Sequence, residues 1–200
     1  MLKFMSTFTK SIVLLAGFGL VASEAFCGGT LTGAIVTDLQ KNKEHVVVYL
    51  KGAVGPVTTR KATVEQHHLM FIPKVTTVPV GSTVVFTNHD KIYHNVFSRS
   101  EAKSFNLNTY DPGKPKHVVF DKPGAVNLLC NVHPEMSAWV VVTDNKYSAI
   151  TGKDGLFTIN DIPAGTYQIG VWSEKSRQLE ETTVTVIDGK TSNVDIKLGD

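Results

Sequence analysis

From residue 28 onward the chain is a succession of short runs rich in β-branched and aromatic residues, broken by Gly, Pro, Asn and Asp. "HVVVYL" (45–50), "TTVPVGSTVVFTN" (76–88), "KHVVF" (116–120), "AVNLLC" (125–130) and "AWVVVT" (138–143) are the clearest. Such runs suit a half-buried pleated surface, and no segment with helical period and caps competes with them. Strands this short have to bury one face against a second sheet, so an all-β sandwich or barrel is expected. At 200 residues, 42% hydrophobic and 19% charged, the chain has enough material for one ordinary domain or two small ones, and disorder is not expected.

Charge narrows the partners. The formal charge of +2 is spread over mixed Lys, Asp and Glu with no long basic run, so nucleic acid is not an expected partner. At the start, Lys3 and Lys10 precede the apolar "SIVLLAGFGLVA", and the small residues of "SEA" follow. That pattern is a secretory signal peptide over residues 1–25, cut after Ala25. A membrane anchor is the alternative, but the apolar run is well short of the roughly 20 residues that cross a bilayer. Cys27 raises lipid attachment, against which Glu24 stands at the minus-three position. The mature chain is then expected in the periplasm with no membrane span, carrying a charge of about +1, too little for strong electrostatic steering. In an oxidising compartment Cys27 and Cys130 would by default be suspected of pairing.

The stretch "LLCNVHPEMSAWVVV" (128–142) places Cys130, His133 and Met136 within seven residues between two apolar runs. A copper site for electron transfer needs a thiolate, two imidazoles in a roughly trigonal plane and a weak axial thioether. The stretch supplies three of the four. The second imidazole must come from elsewhere, and "NHDKIYHNVFS" (88–98) offers His94 immediately before Asn95. His89 lies on the same loop and is the competitor, but it lacks the adjoining Asn and the apolar "IYHNVF" setting.

Together "FIPKVTTVPVGSTVVFTNHD", "YHNVFS" and "CNVHPEM" resemble the cupredoxin, or type 1 blue copper, family over about residues 62–143. The Cys-x-x-His-x-x-Met spacing resembles that of its amicyanin branch, and the whole is similar to exported plastocyanin-like proteins of the "methylamine utilisation protein" type. The resemblance implies a Greek-key β-sandwich over 60–144 holding one copper. His94, Cys130 and His133 would be equatorial ligands and Met136 the axial one. Asn95 would lie just outside them, its backbone N–H directed at the Cys130 sulfur and its side chain tying the ligand loops together. His133, flanked by apolar groups such as Pro134, would be the exit for the electron.

A Cys27–Cys130 disulfide is the rival reading for Cys130, though it would explain none of the other ligands. His45, His67, His68, His89 and His117 read as surface residues. The His67–His68 pair with nearby Met70 is a weak candidate for recruiting copper, because adjacent side chains on a strand face opposite ways. Val96, Phe97 and Trp139 read as packing, Trp139 as core or as a wall near the loop.

The last fifty residues differ in style. "TGKDGLFTINDIPAGTYQIGVW" has an Asp154-Gly155 turn, alternating Phe157 and Ile159 and an "IPAG" bend, and an Asp188-Gly189 hairpin follows. This pattern resembles the carboxypeptidase regulatory-like, transthyretin-like sandwich. The first strands of that family are matched far upstream by "GTLTGAIVTD" (29–38) and "VVVYLKG" (46–52). A discontinuous sandwich of residues 28–56 plus 145–200 is therefore expected, with 60–144 between its halves; two β-domains in tandem are the alternative.

The expected function is a one-electron carrier rather than an enzyme. A type 1 site feeding a catalytic copper would need paired His-x-His motifs and a second copper domain, and neither is in the sequence. Expected partners are redox proteins such as an exported c-type cytochrome or a periplasmic oxidoreductase. A copper carrier or an adhesion module without an electron-transfer role is the alternative.

Overall fold

The computed structural model describes residues 28–52, 54–56 and 58–199. The expected leader (1–25) and Cys27 lie outside them. Among the described residues seventeen strands run in chain order: β1 (Gly29–Val36), β2 (Val47–Leu50), β3 (Lys61–His67), β4 (Met70–Ile72), β5 (Val75–Pro79), β6 (Ser82–Asn88), β7 (His94–Arg99), β8 (Ser104–Tyr110) and β9 (Lys116–Phe120). There follow β10 (Gly124–Leu129), β11 (Ser137–Thr143), β12 (Ser148–Ile150), β13 (Leu156–Ile162), β14 (Gly165–Trp172), β15 (Arg177–Gln178), β16 (Thr182–Val186) and β17 (Thr191–Gly199). No helix among the described residues is long and apolar enough to cross a membrane.

The strands form four sheets. The orders β4-β3-β6-β9 and β5-β11-β10-β7-β8 face one another over a core that includes Val64, Phe86 and Phe120 from the first and Val96, Leu128 and Val140 from the second. The orders β13-β1-β17-β15 and β12-β2-β14-β16 enclose a separate core of Leu31, Ile35, Ile162 and Ile196 against Val48, Leu50, Ile169 and Val184. We call these the inner and the outer sandwich. β1 lies between β13 and β17, and β2 between β12 and β14, so strands early in the chain are interior members of sheets completed more than a hundred residues later.

The run "TTVPVGSTVVFTN", read above as one unit, is two strands in different sheets. Gly81 has a φ of +84°, a region open to glycine but costly for other residues. On either side of it, the Val80 N–H donates to the Thr143 carbonyl of one sheet (2.8 Å) and the Gly81 N–H to the Phe120 carbonyl of the other (2.7 Å). The turn thus carries the chain across the inner sandwich.

The crossing between sandwiches is held by Asn145. Its Nδ2 donates to the carbonyls of Leu50 and Gly52, both at 2.8 Å, and its Oδ1 accepts from the Tyr147 N–H at 2.8 Å. The point where the chain leaves the outer sandwich is thereby tied to the point where it returns, and a buried amide meets its hydrogen-bonding demand. A third, small cluster of Val47, Val75 and Val141 with Tyr49, Trp139 and Trp172 joins the two sandwiches. Trp139, placed above in the core or beside the loop, instead packs on Trp172 with ring centroids 5.1 Å apart.

Candidate metal centre

The candidate residues converge at one end of the inner sandwich. His94 opens β7, Cys130 follows β10, and Met136 precedes β11. The intervening turn is closed by the Met136 N–H donating to the His133 carbonyl at 3.0 Å. Because β10 pairs with both β7 and β11, the end of β10 delivers the loop beside His94. The ligand atoms of His94, Cys130 and His133 all lie within 4.8 Å of one another. His94 is 0% exposed, Cys130 3% and Met136 1%, while His133 is half-buried. Cys130 is a free thiol; the rival partner Cys27 lies outside the described residues.

His94 is oriented from behind. Its Nε2 lies 2.8 Å from Asp90 Oδ2, and because a carboxylate only accepts, the ring proton is on Nε2 and Nδ1 presents its lone pair. That Nδ1 faces His133 Nδ1 at 3.1 Å, with the rings inclined at 66°. Asp90 also accepts from the N–H groups of His68 (2.7 Å) and Leu69 (3.1 Å). Burial pushes its carboxyl up, but these N–H groups and His94 more than offset that and hold it down at about 2. The loop that carries Asp90 is closed by Asn88, whose Nδ2 donates to the Ile92 carbonyl (2.8 Å) and whose Oδ1 accepts from the Asp90 N–H (3.0 Å).

Asn95, 1% exposed, joins the two ligand segments. Its Oδ1 accepts from the N–H of Asn131, the residue after Cys130, at 3.2 Å, and its Nδ2 donates to Asn106 Oδ1 at 2.8 Å. Opposite His94 on the neighbouring strand stands Tyr110, whose hydroxyl accepts from buried Gln66 Nε2. Burial drives the Tyr110 phenol up to about 12; the Gln66 bond opposes the shift and nearby Cys130 adds to it. Asp90, Gln66 and Tyr110 were not singled out from sequence. Asp90 had one visible sign, an acid four positions before His94, whereas Gln66 and Tyr110 reach the site through strand pairing.

The donor set fits a soft or borderline metal ion. Two nitrogens 3.1 Å apart have the separation that metal–nitrogen bonds of about 2.0–2.1 Å make when they meet somewhat above a right angle. A buried free thiol stands beside them, with a buried thioether in the same core cluster, and thiolate, imidazole and thioether together are the ligands copper takes. His67, His68 and His89 lie outside the trio: His68 and His89 are exposed and His67 half-buried.

Two known families match stretches of the chain. Residues 58–143 match the family of copper binding proteins of the plastocyanin/azurin type, and residues 134–199 match the carboxypeptidase regulatory-like domain. No curated protein matches the chain. Among solved structures, the chain is similar to a novel purple cupredoxin from Nitrosopumilus maritimus, at 26% identity over 41% of this chain and 99% of that one, TM-score 0.38. It is also similar to amicyanin from Paracoccus versutus, at 20% identity over 48% of this chain and 96% of that one, TM-score 0.39. A copper-containing nitrite reductase from Thermus scotoductus aligns at 24% identity over 57% of this chain but only 28% of its own, TM-score 0.41. By these family models, residues 58–143 carry a copper-binding stretch of the plastocyanin/azurin type and residues 134–199 a carboxypeptidase regulatory-like one.

Proposed function

We propose that the protein is an exported carrier of single electrons, with one copper held by His94, Cys130, His133 and Met136. The observation that carries the reading is the bare Nδ1 of His94 facing His133 Nδ1 at 3.1 Å beside a buried free thiol. Copper bound there would supply a Cu(I)/Cu(II) couple that accepts and releases one electron. The protein's part is to keep the ligands still. Asp90 fixes the His94 tautomer and ring plane, and Asn95 ties the Cys130 loop to β7, which limits rearrangement between oxidation states. His133 is the ligand nearest solvent, and exposed Val132, Ile92 and Tyr93 give a partner an apolar rim for close docking.

In this reading residues 1–25 direct the chain to the periplasm and are removed. The donor and acceptor are an exported c-type cytochrome or a periplasmic oxidoreductase, and the chain itself is no enzyme. Residues 28–56 and 145–200 form one discontinuous domain interrupted by 60–144; the pairing of β1 and β2 with β12, β13, β14 and β17 supports that division over a tandem one.

The test is the visible spectrum of the copper-loaded mature protein beside Cys130→Ser and Cys27→Ser. An intense blue or purple band that bleaches with reductant, recovers on oxidation, and is lost only in Cys130→Ser is the expected result. A colourless protein that binds copper without cycling would make it a copper carrier or adhesion module instead, and loss of the band in Cys27→Ser alone would overturn the ligand set.

A further inference from the structure

His67 and His68 look like a poor metal pair from sequence, since neighbours on a strand face opposite ways. The fold removes that objection. β3 ends at His67, and His68 and Leu69 have φ of 53° and 60°, the left-handed pair of a two-residue hairpin turn. His68 therefore belongs to the turn, and its ring comes back over His67 with centroids 3.8 Å apart. The turn is held in place by Asp90, which accepts from both of its N–H groups. A third imidazole arrives from the residue after β6. The parallel register of Gln66 with Asn88, extended by the His89 N–H donating to the Gln66 carbonyl at 2.8 Å, sets His89 beside His67 with centroids 6.3 Å apart.

We infer that His67, His68 and His89 form a second, exposed site for a borderline divalent cation, Cu(II) by preference. The ring separations of 3.8 and 6.3 Å bracket the 4.8 Å between His94 and His133. His68 and His89 are exposed, so their rings have room to rotate toward a shared ion, which for His89 means giving up the 3.1 Å contact of its Nε2 with Thr87 Oγ1. His67 Nδ1 is buried without a hydrogen-bond partner, its nearest carboxylate oxygen being Asp90 Oδ1 at 3.8 Å, so the ring has an unmet polar demand. Met70 stands directly across the hairpin from His67 and is 52% exposed, which places a thioether on the same face. Imidazole suits copper, zinc and nickel, and among divalent first-row ions copper binds such donors most tightly. One carboxylate, Asp90, touches both this hairpin and buried His94.

Titration with Cu(II) alone tests the site, using the mature chain, His67→Ala/His89→Ala and His68→Ala. The parent is expected to bind one ion more than the double variant, and the ion added second should give a paramagnetic signal with nitrogen hyperfine structure, distinct from the first. His68→Ala should bind that ion at least about tenfold more weakly, as expected for loss of one of three imidazoles. If the double variant fails to fold, His67→Gln/His89→Gln serves in its place. Equal stoichiometry and affinity in parent and variants would overturn the proposal. Cys130→Ser should lose the visible band of the buried trio yet keep the extra ion of the surface cluster, so either assignment can fail without the other.

Discussion

Among the described residues the inner sandwich buries 16 core side chains and the outer 15, so the two have nearly equal means of holding themselves together. What differs is the content of those cores. The outer core is aliphatic with Tyr147 and Phe157, and among the described residues its strand ends carry no sulfur and no buried imidazole. The inner core runs without a break into Tyr110, Cys130 and Met136, and buried Gln66, Asn88, His94 and Asn95 stand at the same end. One sandwich buries polar groups to tie its chain crossings, as at Asn145; the other buries them to aim ligands. A buried polar group is tolerated only where it is hydrogen-bonded, and in the inner sandwich those bonds converge on His94 and on the Cys130 loop.

Substitutions can break or sharpen that contrast. The largest effect is expected for Cys130→Ser, which should abolish the visible absorption of the copper-loaded protein; survival of the band would erase the distinction between the cores. Phe86→Ala should cost about 3–5 kcal/mol by opening a cavity in the inner core, and Ile162→Ala about 2–5 kcal/mol in the outer one. Denaturant unfolding followed by absorption and by far-ultraviolet dichroism should show the first change lowering the midpoint of both signals. The second should leave absorption intact until the inner sandwich itself melts, and if Ile162→Ala bleaches the site at the same denaturant concentration as it unfolds the outer sheets, the two behave as one unit. Asn145→Ala leaves the Leu50 and Gly52 carbonyls unpaired and is expected to lower stability by about 1–3 kcal/mol. Trp172→Ala, at the junction, should cost on the order of 1–2 kcal/mol of apolar burial and raise the hydrogen-exchange rate of β12 without changing absorption. Glu174→Ala, which loses a 3.7 Å ion pair with Lys74 between partly exposed side chains, should change stability by less than about 1 kcal/mol.

The all-β class was legible because strand residues and turn residues separate cleanly along the chain. The convergence of His94, Cys130 and His133, whose nitrogen and sulfur atoms lie within 4.8 Å of one another, was legible because a metal site restricts residue type and loop spacing together. Strand β8, "SFNLNTY", was not named: its burial alternates weakly among polar residues, and it is held as an edge by pairing with β7. The split at Gly81 was hidden because five apolar or β-branched residues on each side read as one strand, and only the positive φ separates them. Asp90 was passed over because its role depends on three N–H groups brought from β7 and the β3–β4 hairpin. The stacking of exposed His68 on His67 was hidden because a period of two breaks where the backbone turns left-handed.

The parallel pairing of β1 with β17 joins Thr30 to Thr191 and Val36 to Lys197. All strands of the inner sandwich lie between them in the chain. As the polypeptide is made, β3 to β11 can find every partner they need while β1 still waits with one edge unpaired, since loop closure over so long a stretch is slow. A chain cut short before residue 191 would leave that edge open to a neighbour's strand. The outer sandwich thus works as a clasp that shuts only once β17 has been made, and a copy lacking that strand would keep an open edge beside a finished inner sandwich.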